Sequence, residues 1–297
     1  RKRDYWGIRM FAIYGLVGLT LILLSFFFSV FGIKIPYFSL NQLFVVGYWL
    51  FFDSLDFKLN KTSILHKIKR KHILLVYLVF IGVIIGLFSD LIGIYLTDLW
   101  GWYYLGYSLL QQILFYIRGL IFGYGVPILM YYSAYRVFLT IINKEIKTFG
   151  EKIVSKKTEK RIFSYFGLLA VVFLLLGLVI LPITFEFHDF LLISLMFLGL
   201  FFILEYVEYK RNEKSLLKDI VEGRWRPALA VIITAVLTGF IWEHINTYNK
   251  TWTYRNFPFQ HIQLFDVPLV IIIGWIPFVV IYLSFYRAVF KGKDKLW

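Results

Sequence analysis

Apolar residues fall into eight long runs that are separated by short polar or charged segments. A run of about 20 apolar residues is long enough, at ~1.5 Å per residue, to cross the ~30 Å hydrocarbon core of a bilayer. We therefore predict an all-α, polytopic membrane protein with eight transmembrane helices. The predicted helices are residues 10–33, 38–57, 73–96, 115–142, 162–183, 189–208, 226–246 and 265–289. The first run is interpreted as a span, because it is too long for a signal-peptide core and lacks a small-x-small cleavage site.

The second half of the chain repeats the first at an offset of about 152 residues. Glycine, proline and acidic positions keep their order, which chance similarity between apolar runs would not produce. The aligned pairs include Asp53 with Glu205, Asp56 with Glu208, Asp90 with Glu243, Trp100 with Trp252, and Pro127 with Pro277. We predict two four-helix repeats, residues 1–148 and 149–297. Because four spans return the chain to its starting side, the two repeats have the same orientation.

Composition and charge agree with this topology. The chain is 60% hydrophobic, whereas a soluble domain is roughly 45–50% apolar. Of its 32 Lys and Arg residues, 27 lie in five clusters, residues 1–9, 58–72, 143–161, 208–226 and 287–297. The clusters alternate with loops that have few cations, which is the positive-inside pattern of a multi-pass protein of the cell membrane with both termini in the cytoplasm. We therefore expect membrane lipids, and no nucleic acid, as partners.

Two acidic residues are predicted near the outer face, and each is followed by an aromatic pair. Asp90 precedes Trp100 and Trp102, and Glu243 precedes Trp252 and Tyr254. Ionisable groups within a membrane are costly and usually functional, although Trp and Tyr alone are also typical of an interfacial belt. A carboxyl group shielded from water stays protonated and can donate its proton to an alkene, and aromatic faces stabilise the resulting cation. We predict Glu243 as the catalytic acid and Asp90 as its partner, with the four rings as the binding wall.

Further polar residues complete the predicted outer site. His244 and Asn246 are expected to orient a ligand, and Arg118 either reaches outward to water or pairs with the acid of the first repeat. His244, Glu243 and His261 offer an alternative, a divalent metal site, but no H-E-x-x-H motif or repeated histidine box is present. We predict no metal and no cofactor, and we include His261 among the binding residues.

Four acidic residues form a second layer, near the inner ends of predicted helices 38–57 and 189–208. They are Asp53, Asp56, Glu205 and Glu208. In each half the two acids are three residues apart and share a helical face. They either close the inner end by pairing with Lys58 or Lys210, or form a cation or proton site that is entered from the cytoplasm.

The motifs around the outer acids resemble a known family. They are Asp90 with Trp100-Gly-Trp102-Tyr103, and Glu243 with Trp252-Thr-Tyr254 and Phe265-Asp-Val-Pro268. Both resemble the small membrane lycopene cyclases and related carotenoid-modifying proteins, which implies acid-catalysed cyclisation or hydration of a polyene without a redox change. That family has paired acids after its proline, whereas Leu269 and Val270 follow Pro268 here and Arg118 takes the matching position in the first half. The segment 223–227 with Gly239, Trp242, Glu243 and Asn246 is also similar to a group of bacterial membrane proteins of unassigned function, which implies no chemistry.

Three functions are compatible with these patterns. The first is an enzyme or binding protein for an isoprenoid or other lipid, with an aromatic pocket at the outer face. The second is a transporter coupled to cations or protons, which the parallel repeats and the acidic layers favour. The third is a non-catalytic subunit that assembles with other membrane proteins. The sequence has no nucleotide-binding motif and no large soluble segment, which excludes ATP-driven pumping and receptor kinase roles.

Overall fold

The computed structural model describes residues 2–33, 39–102, 108–146, 154–180, 183, 188–212 and 215–289. Tyr103 and the predicted boundary between the repeats, at residues 148 and 149, lie outside these ranges. The described helices are α1 Lys2–Val30, α2 Leu40–Asn60, α3 Ile64–Arg70, α4 Ile73–Asp90, α5 Leu109–Arg118, α6 Pro127–Glu145, α7 Lys156–Ile180, α8 His188–Lys210, α9 Leu216–Val221, α10 Arg226–Asn249 and α11 Leu269–Val289. The strands are β1 Trp100–Trp102, β2 Trp252–Tyr254, β3 Gln263–Leu264 and β4 Val267–Pro268.

Two π-helical segments interrupt the α-helices. Leu91–Leu96 continues α4, and Gly119–Gly125 joins α5 to α6. Because a π turn takes an extra residue, it rotates the side chains that follow it, and such turns are frequent at functional sites. Asp90 lies directly before the first segment, and Tyr124 lies within the second.

Seven of the described helical segments are long and apolar enough to cross a membrane. They are Ile13–Val30, Ile73–Leu96, Leu109–Glu145, Lys156–Ile180, His188–Lys210, Arg226–Asn249 and Leu269–Ala288. This confirms the prediction of a multi-pass helical membrane protein. The eighth predicted span corresponds to α2, which is helical but has a lower mean hydropathy because of its polar residues. It packs between α1 and α6, and those polar residues, Asn41, Gln42, Asp53 and Asp56, are all buried.

Several helix boundaries differ from the prediction for identifiable reasons. The helix predicted to begin at 115 begins at Leu109, because Ser108 and Gln111 form a reciprocal capping box. The last helix begins at Leu269 and not at 265, because β3 and β4 form a short hairpin there. Each basic loop after α2 and α8 contains a short helix, α3 or α9, capped by Ser63 or Ser215.

The central helices are α2, α6, α10 and α11, with α1 packed on α2 and α7 packed on α8. At one end of the bundle, β1 and β2 pair antiparallel, so that Trp100 lies opposite Tyr254 and Trp102 lies opposite Trp252. We call this the ladder end. At the opposite end, α2 and α8 reach the short helices α3 and α9, and we call this the short-helix end. The two acidic layers predicted from the sequence lie at these two ends.

Candidate functional site

The carboxylate of Asp90 is fully buried at the ladder end. Trp100 Nε1 donates a hydrogen bond to Oδ1 at 3.2 Å, and Trp102 Nε1 donates to Oδ2 at 3.2 Å. The hydroxyl of Tyr124 donates to Oδ1 at 2.6 Å. The predicted association of Asp90 with Trp100 and Trp102 is therefore present, and Tyr124 is a partner that the sequence reading missed.

Glu243, in α10, has the same kind of environment and is 2% exposed. Its Oε1 accepts hydrogen bonds from the Tyr254 hydroxyl at 2.5 Å and from Trp275 Nε1 at 3.0 Å. Trp252 Nε1 in turn donates to the Tyr254 hydroxyl at 3.0 Å. Burial, together with the neighbouring carboxylate, raises the pKa of Tyr254 well above its usual range, so this hydroxyl keeps its proton and acts as a donor.

Glycine residues bring one ring close to each acidic helix. A Cβ atom built on Gly86 would lie 2.2 Å from the ring of Tyr124, and one built on Gly239 would lie 2.4 Å from the ring of Trp275. No real side chain tolerates contacts this short. Gly86 and Gly239 therefore let Tyr124 and Trp275 lie flat against α4 and α10, within reach of the carboxylates one turn further along.

The rings that bind the two carboxylates line a cavity of about 310 Å³. Ligand pockets in proteins begin at roughly 300 Å³. Eleven of the 19 lining residues are aromatic: Trp100, Trp102, Tyr124, Phe190, Phe197, Trp242, Trp252, Tyr254, Phe257, Trp275 and Phe278. Asp90 and Glu243 are not among the lining residues and lie behind this aromatic wall. The polar side chains on the wall are indoles and the hydroxyls of Tyr124, Tyr254 and Ser194.

Several pairs of neighbouring rings on the wall meet nearly at right angles. Trp102 and Trp252 have centroids 6.1 Å apart and an interplanar angle of 79°. Trp102 and Tyr124 are also 6.1 Å apart, at 90°, and Trp242 meets Trp252 at 79°. Edge-to-face geometry of this kind is favourable between aromatic rings. The wall therefore has corners, at which the planes of two rings meet.

The exposed residues of the cavity lining lie on α8 and α11, which indicates an opening between these helices. Leu198 in α8 and Gly274 in α11 both line the cavity, and both are exposed, Leu198 to 38%. A Cβ atom at Gly274 would meet no other atom within 4 Å. Because α8 and α11 are both candidate membrane spans, this opening lies on the face that lipid chains would cover.

Asn246 supports the site without lining the cavity. Its Oδ1 accepts hydrogen bonds from the backbone N–H groups of Thr251, at 3.1 Å, and Trp252, at 3.3 Å. Its Nδ2 donates to the carbonyl oxygen of Trp252 at 3.1 Å. Asn246 is buried, and these three hydrogen bonds fix the start of β2; its role in orienting a ligand stays a prediction.

Three other predicted binding residues lie away from the cavity wall. His244 faces α1 and stacks on Phe26, with centroids 5.6 Å apart. His261 is exposed. Arg118 Nε donates to the carbonyl oxygen of Leu114 at 3.3 Å, and the hydrogen bonds to Asp90 come from indoles and a phenol instead. Among the described residues, no group of three His, Cys, Asp or Glu side chains is arranged to hold a metal ion.

At the short-helix end, the acids are paired with arginine. Arg136 Nε lies 2.7 Å from Asp56 Oδ2. Arg287 lies 2.8 Å from Glu205 and 2.9 Å from Glu208. The predicted partners Lys58 and Lys210 lie elsewhere: Lys58 is exposed, and the ammonium of Lys210 is 5.4 Å from the centroid of the Tyr206 ring.

The remaining contacts of these acids tie three helices together in each half. Asp53 accepts hydrogen bonds from the Ser63 hydroxyl at 2.6 Å and the Leu65 N–H at 3.0 Å. Glu205 accepts them from the Leu217 N–H at 2.9 Å and the Ser284 hydroxyl at 2.6 Å. Each acid of this layer therefore has at least one partner within the protein. The repeated sequence Ser-x-Tyr-Arg, at 133–136 and 284–287, was the signal that would have identified the arginine partners.

No family model, no curated protein and no solved structure matches this chain.

Proposed function

We propose that this protein binds an isoprenoid or other lipid in the aromatic cavity at the ladder end, and that the ligand enters from the bilayer between α8 and α11. The observation that carries the proposal is the combination of an aromatic cavity of about 310 Å³ with an opening between two candidate membrane spans. A ligand that resides in the bilayer reaches such an opening without crossing water. Apolar walls with a few placed polar groups are typical of small-molecule sites.

The hydrogen bonds of the two carboxylates favour a binding role for the cavity over acid catalysis. Both oxygens of Asp90 face donors, and indole nitrogens only donate. If Asp90 were protonated, its O–H would point at one of these donors. The ionised form of Asp90 therefore fits the site. Glu243 lies behind the wall, and a proton leaving it would have to pass through the Tyr254 hydroxyl, which lines the cavity. The carboxylates thus hold the rings in place.

We infer that the chain arose by duplication of a four-helix unit. The supporting observation is that matched residues make matched contacts: Asp56 pairs with Arg136 as Glu208 pairs with Arg287. Tyr124 and Trp275 also correspond, since each packs on a glycine and donates to the acid of its own half. These contacts align the end of the first half with the end of the second half at an offset of 151 residues, as in Arg136 and Arg287. Aligning Pro127 with Pro277 gives an offset of 150.

The basic residues support an orientation for this bundle. Five Lys and Arg residues lie between the end of α2 and the start of α4, at positions 61, 67, 69, 70 and 71, and the corresponding segment after α8 is also basic. The positive-inside rule then assigns the short-helix end to the cytoplasm and the ladder end to the outer face of the cell membrane. In this orientation eight helices cross the bilayer, including α2, and both termini are cytoplasmic.

A substitution at the opening tests the proposed function. Trp at Gly274 would occupy the mouth of the cavity, where the added atoms meet open space. Ile273→Trp is the matched control, because Ile273 is 55% exposed and does not line the cavity. Native mass spectrometry and lipid extraction of the purified proteins should recover the same bound molecule from the unmodified protein and from Ile273→Trp, and much less from Gly274→Trp. Equal recovery from all three would contradict the proposal.

A further inference from the structure

The two layers of buried acids differ in their partners. At the short-helix end, Arg136 and Arg287 pair with the acids. At the ladder end, in the part of the chain that the structure describes, no Lys, Arg or His side chain pairs with Asp90 or Glu243. Buried charges are normally compensated by an opposite charge. The ladder end therefore has two buried acids that, among the described residues, pair with no cation.

The rings between these acids and the cavity are suited to a positive charge. Five rings that line the cavity donate hydrogen bonds to the two acids: Trp100, Trp102, Tyr124, Tyr254 and Trp275. The face of an aromatic ring carries negative potential and attracts cations. Donation of the ring N–H or O–H to a carboxylate polarises the ring further in the same direction. The wall thus transmits the negative charge of an ionised acid to the cavity without exposing a carboxylate oxygen.

The chemistry of the wall selects among cations. A metal ion needs oxygen, nitrogen or sulfur ligands, and a primary ammonium needs hydrogen-bond acceptors. The hydroxyls of Tyr124 and Tyr254 are already directed to the acids. An alkylated ammonium needs only ring faces, and recognition by an aromatic cage is its usual mode. The corner formed by Trp102 and Trp252, at an angle of 79°, offers two such faces.

We propose that the ligand of this cavity is an amphiphile with a quaternary or tertiary ammonium group, and that this group lies in the corner of Trp102 and Trp252, in front of Asp90 and Glu243. The inference rests on the proposed function and adds the class of ligand to it. The apolar body of the amphiphile extends past Phe197 and Phe278 towards the opening between α8 and α11.

The test compares two probes that differ only in charge. One is dodecyltrimethylammonium, and the other is its neutral isostere, in which a carbon atom replaces the nitrogen. Binding is measured by quenching of tryptophan fluorescence in nanodiscs of uncharged lipid, with partition into protein-free nanodiscs subtracted. We expect the cation to bind at least about tenfold more tightly than the isostere. Equal binding of the two probes, or binding of neither, would overturn this inference, whereas the proposed function is tested separately by lipid recovery from Gly274→Trp and Ile273→Trp.

Variants then test the role of the acids. Glu243→Gln removes the ionisable group, while its amide oxygen can take the place of Oε1 and keep both hydrogen bonds. The ratio of the two affinities should therefore fall several-fold. Asp98→Asn is the matched control, because Asp98 is half exposed, pairs with Arg255 at 2.8 Å and does not line the cavity. It should leave the ratio unchanged. If Glu243→Gln fails to fold, Trp252→Leu removes one face of the corner and should lower the ratio likewise. An unchanged ratio in the folded variant would overturn the inference.

Discussion

Trp100 lies opposite Tyr254 in the ladder between β1 and β2, and each donates a hydrogen bond to an acid of a different helix. Trp100 binds Asp90 at the end of α4, and Tyr254 binds Glu243 in α10. The ladder therefore joins the two carboxylates into one connected network, with the cavity on the ring side.

Asn246 should be essential for the order of β2. Asn246→Ala removes three hydrogen bonds to the backbone of Thr251 and Trp252, and each buried group left without a partner costs about 1–3 kcal/mol. We expect the free energy of unfolding in detergent to fall by about 2–4 kcal/mol. Asn249→Ala, on the same helix, loses one bond to the Ser29 hydroxyl and should cost clearly less. Equal losses of unfolding free energy in the two variants would show that the three hydrogen bonds of Asn246 are unimportant for stability.

The two ladder-end acids should respond differently to replacement by an amide. Glu243 receives both of its donors on Oε1, so Gln can preserve them. Asp90 receives donors on both oxygens, so the amide of Asn must set its own N–H₂ against an indole or phenol donor. We expect Asp90→Asn to lower the free energy of unfolding by about 1–3 kcal/mol more than Glu243→Gln. Thermal unfolding of the two purified variants measures this difference, and a larger loss in Glu243→Gln would contradict it.

The arginine pairs should brace the short-helix end. Arg136→Met leaves the fully buried carboxylate of Asp56 without its charge partner, which costs about 3–5 kcal/mol in comparable sites. The double variant Asp56→Leu with Arg136→Met removes both charges and should recover most of that loss. Lys58→Met is the control, since Lys58 is exposed. A double-mutant cycle on chemical unfolding measures the coupling free energy between Asp56 and Arg136. If the losses of the two single variants simply add up in the double variant, the ion pair does not stabilise the short-helix end.

Two glycine residues should respond with opposite signs to the same substitution. Gly239→Ala places a Cβ atom 2.4 Å from the Trp275 ring, so the ring must move away from Glu243, at a cost of about 1–3 kcal/mol. Gly274→Ala meets open space and should gain up to about 1 kcal/mol from helix propensity. Unfolding in detergent gives both signs, and near-ultraviolet circular dichroism should change only for Gly239→Ala. Equal effects would mean that the Trp275 ring is not held against α10.

Much of the fold could be predicted from hydropathy, because length and apolar content determine which segments cross a membrane. The association of Asp90 with Trp100 and Trp102 was also predictable, because these residues are close in sequence and recur in the second half. The roles of Tyr124 and Trp275 were not. Each lies more than 30 residues from its acid, and whether it reaches the carboxylate depends on the close packing at Gly86 and Gly239.

The differences between the predicted and observed partners of these polar residues have a common cause. Next to Glu243 in sequence, His244 points the other way, because adjacent positions on a helix are about 100° apart. Arg118 was expected either to reach outward to water or to pair with Asp90, and the donors on both oxygens of Asp90 are two indoles and a phenol. At the short-helix end, Lys58 was the nearest cation in the sequence, whereas Arg136 on a neighbouring helix is the nearest in space. Sequence proximity identifies helix faces, and tertiary packing selects the partner.

Photoaffinity labelling with a diazirine-bearing lipid tests the central claim most directly. Labelled peptides from the unmodified protein should include Phe197 and Phe278, which line the cavity, and this labelling should disappear in Gly274→Trp and persist in Ile273→Trp. Labelling of Leu175 and Val179, exposed on the outer surface of α7, serves as the background that should be equal in all three proteins. Labels confined to that surface, with none on Phe197 or Phe278, would contradict the claim that the cavity holds a lipid.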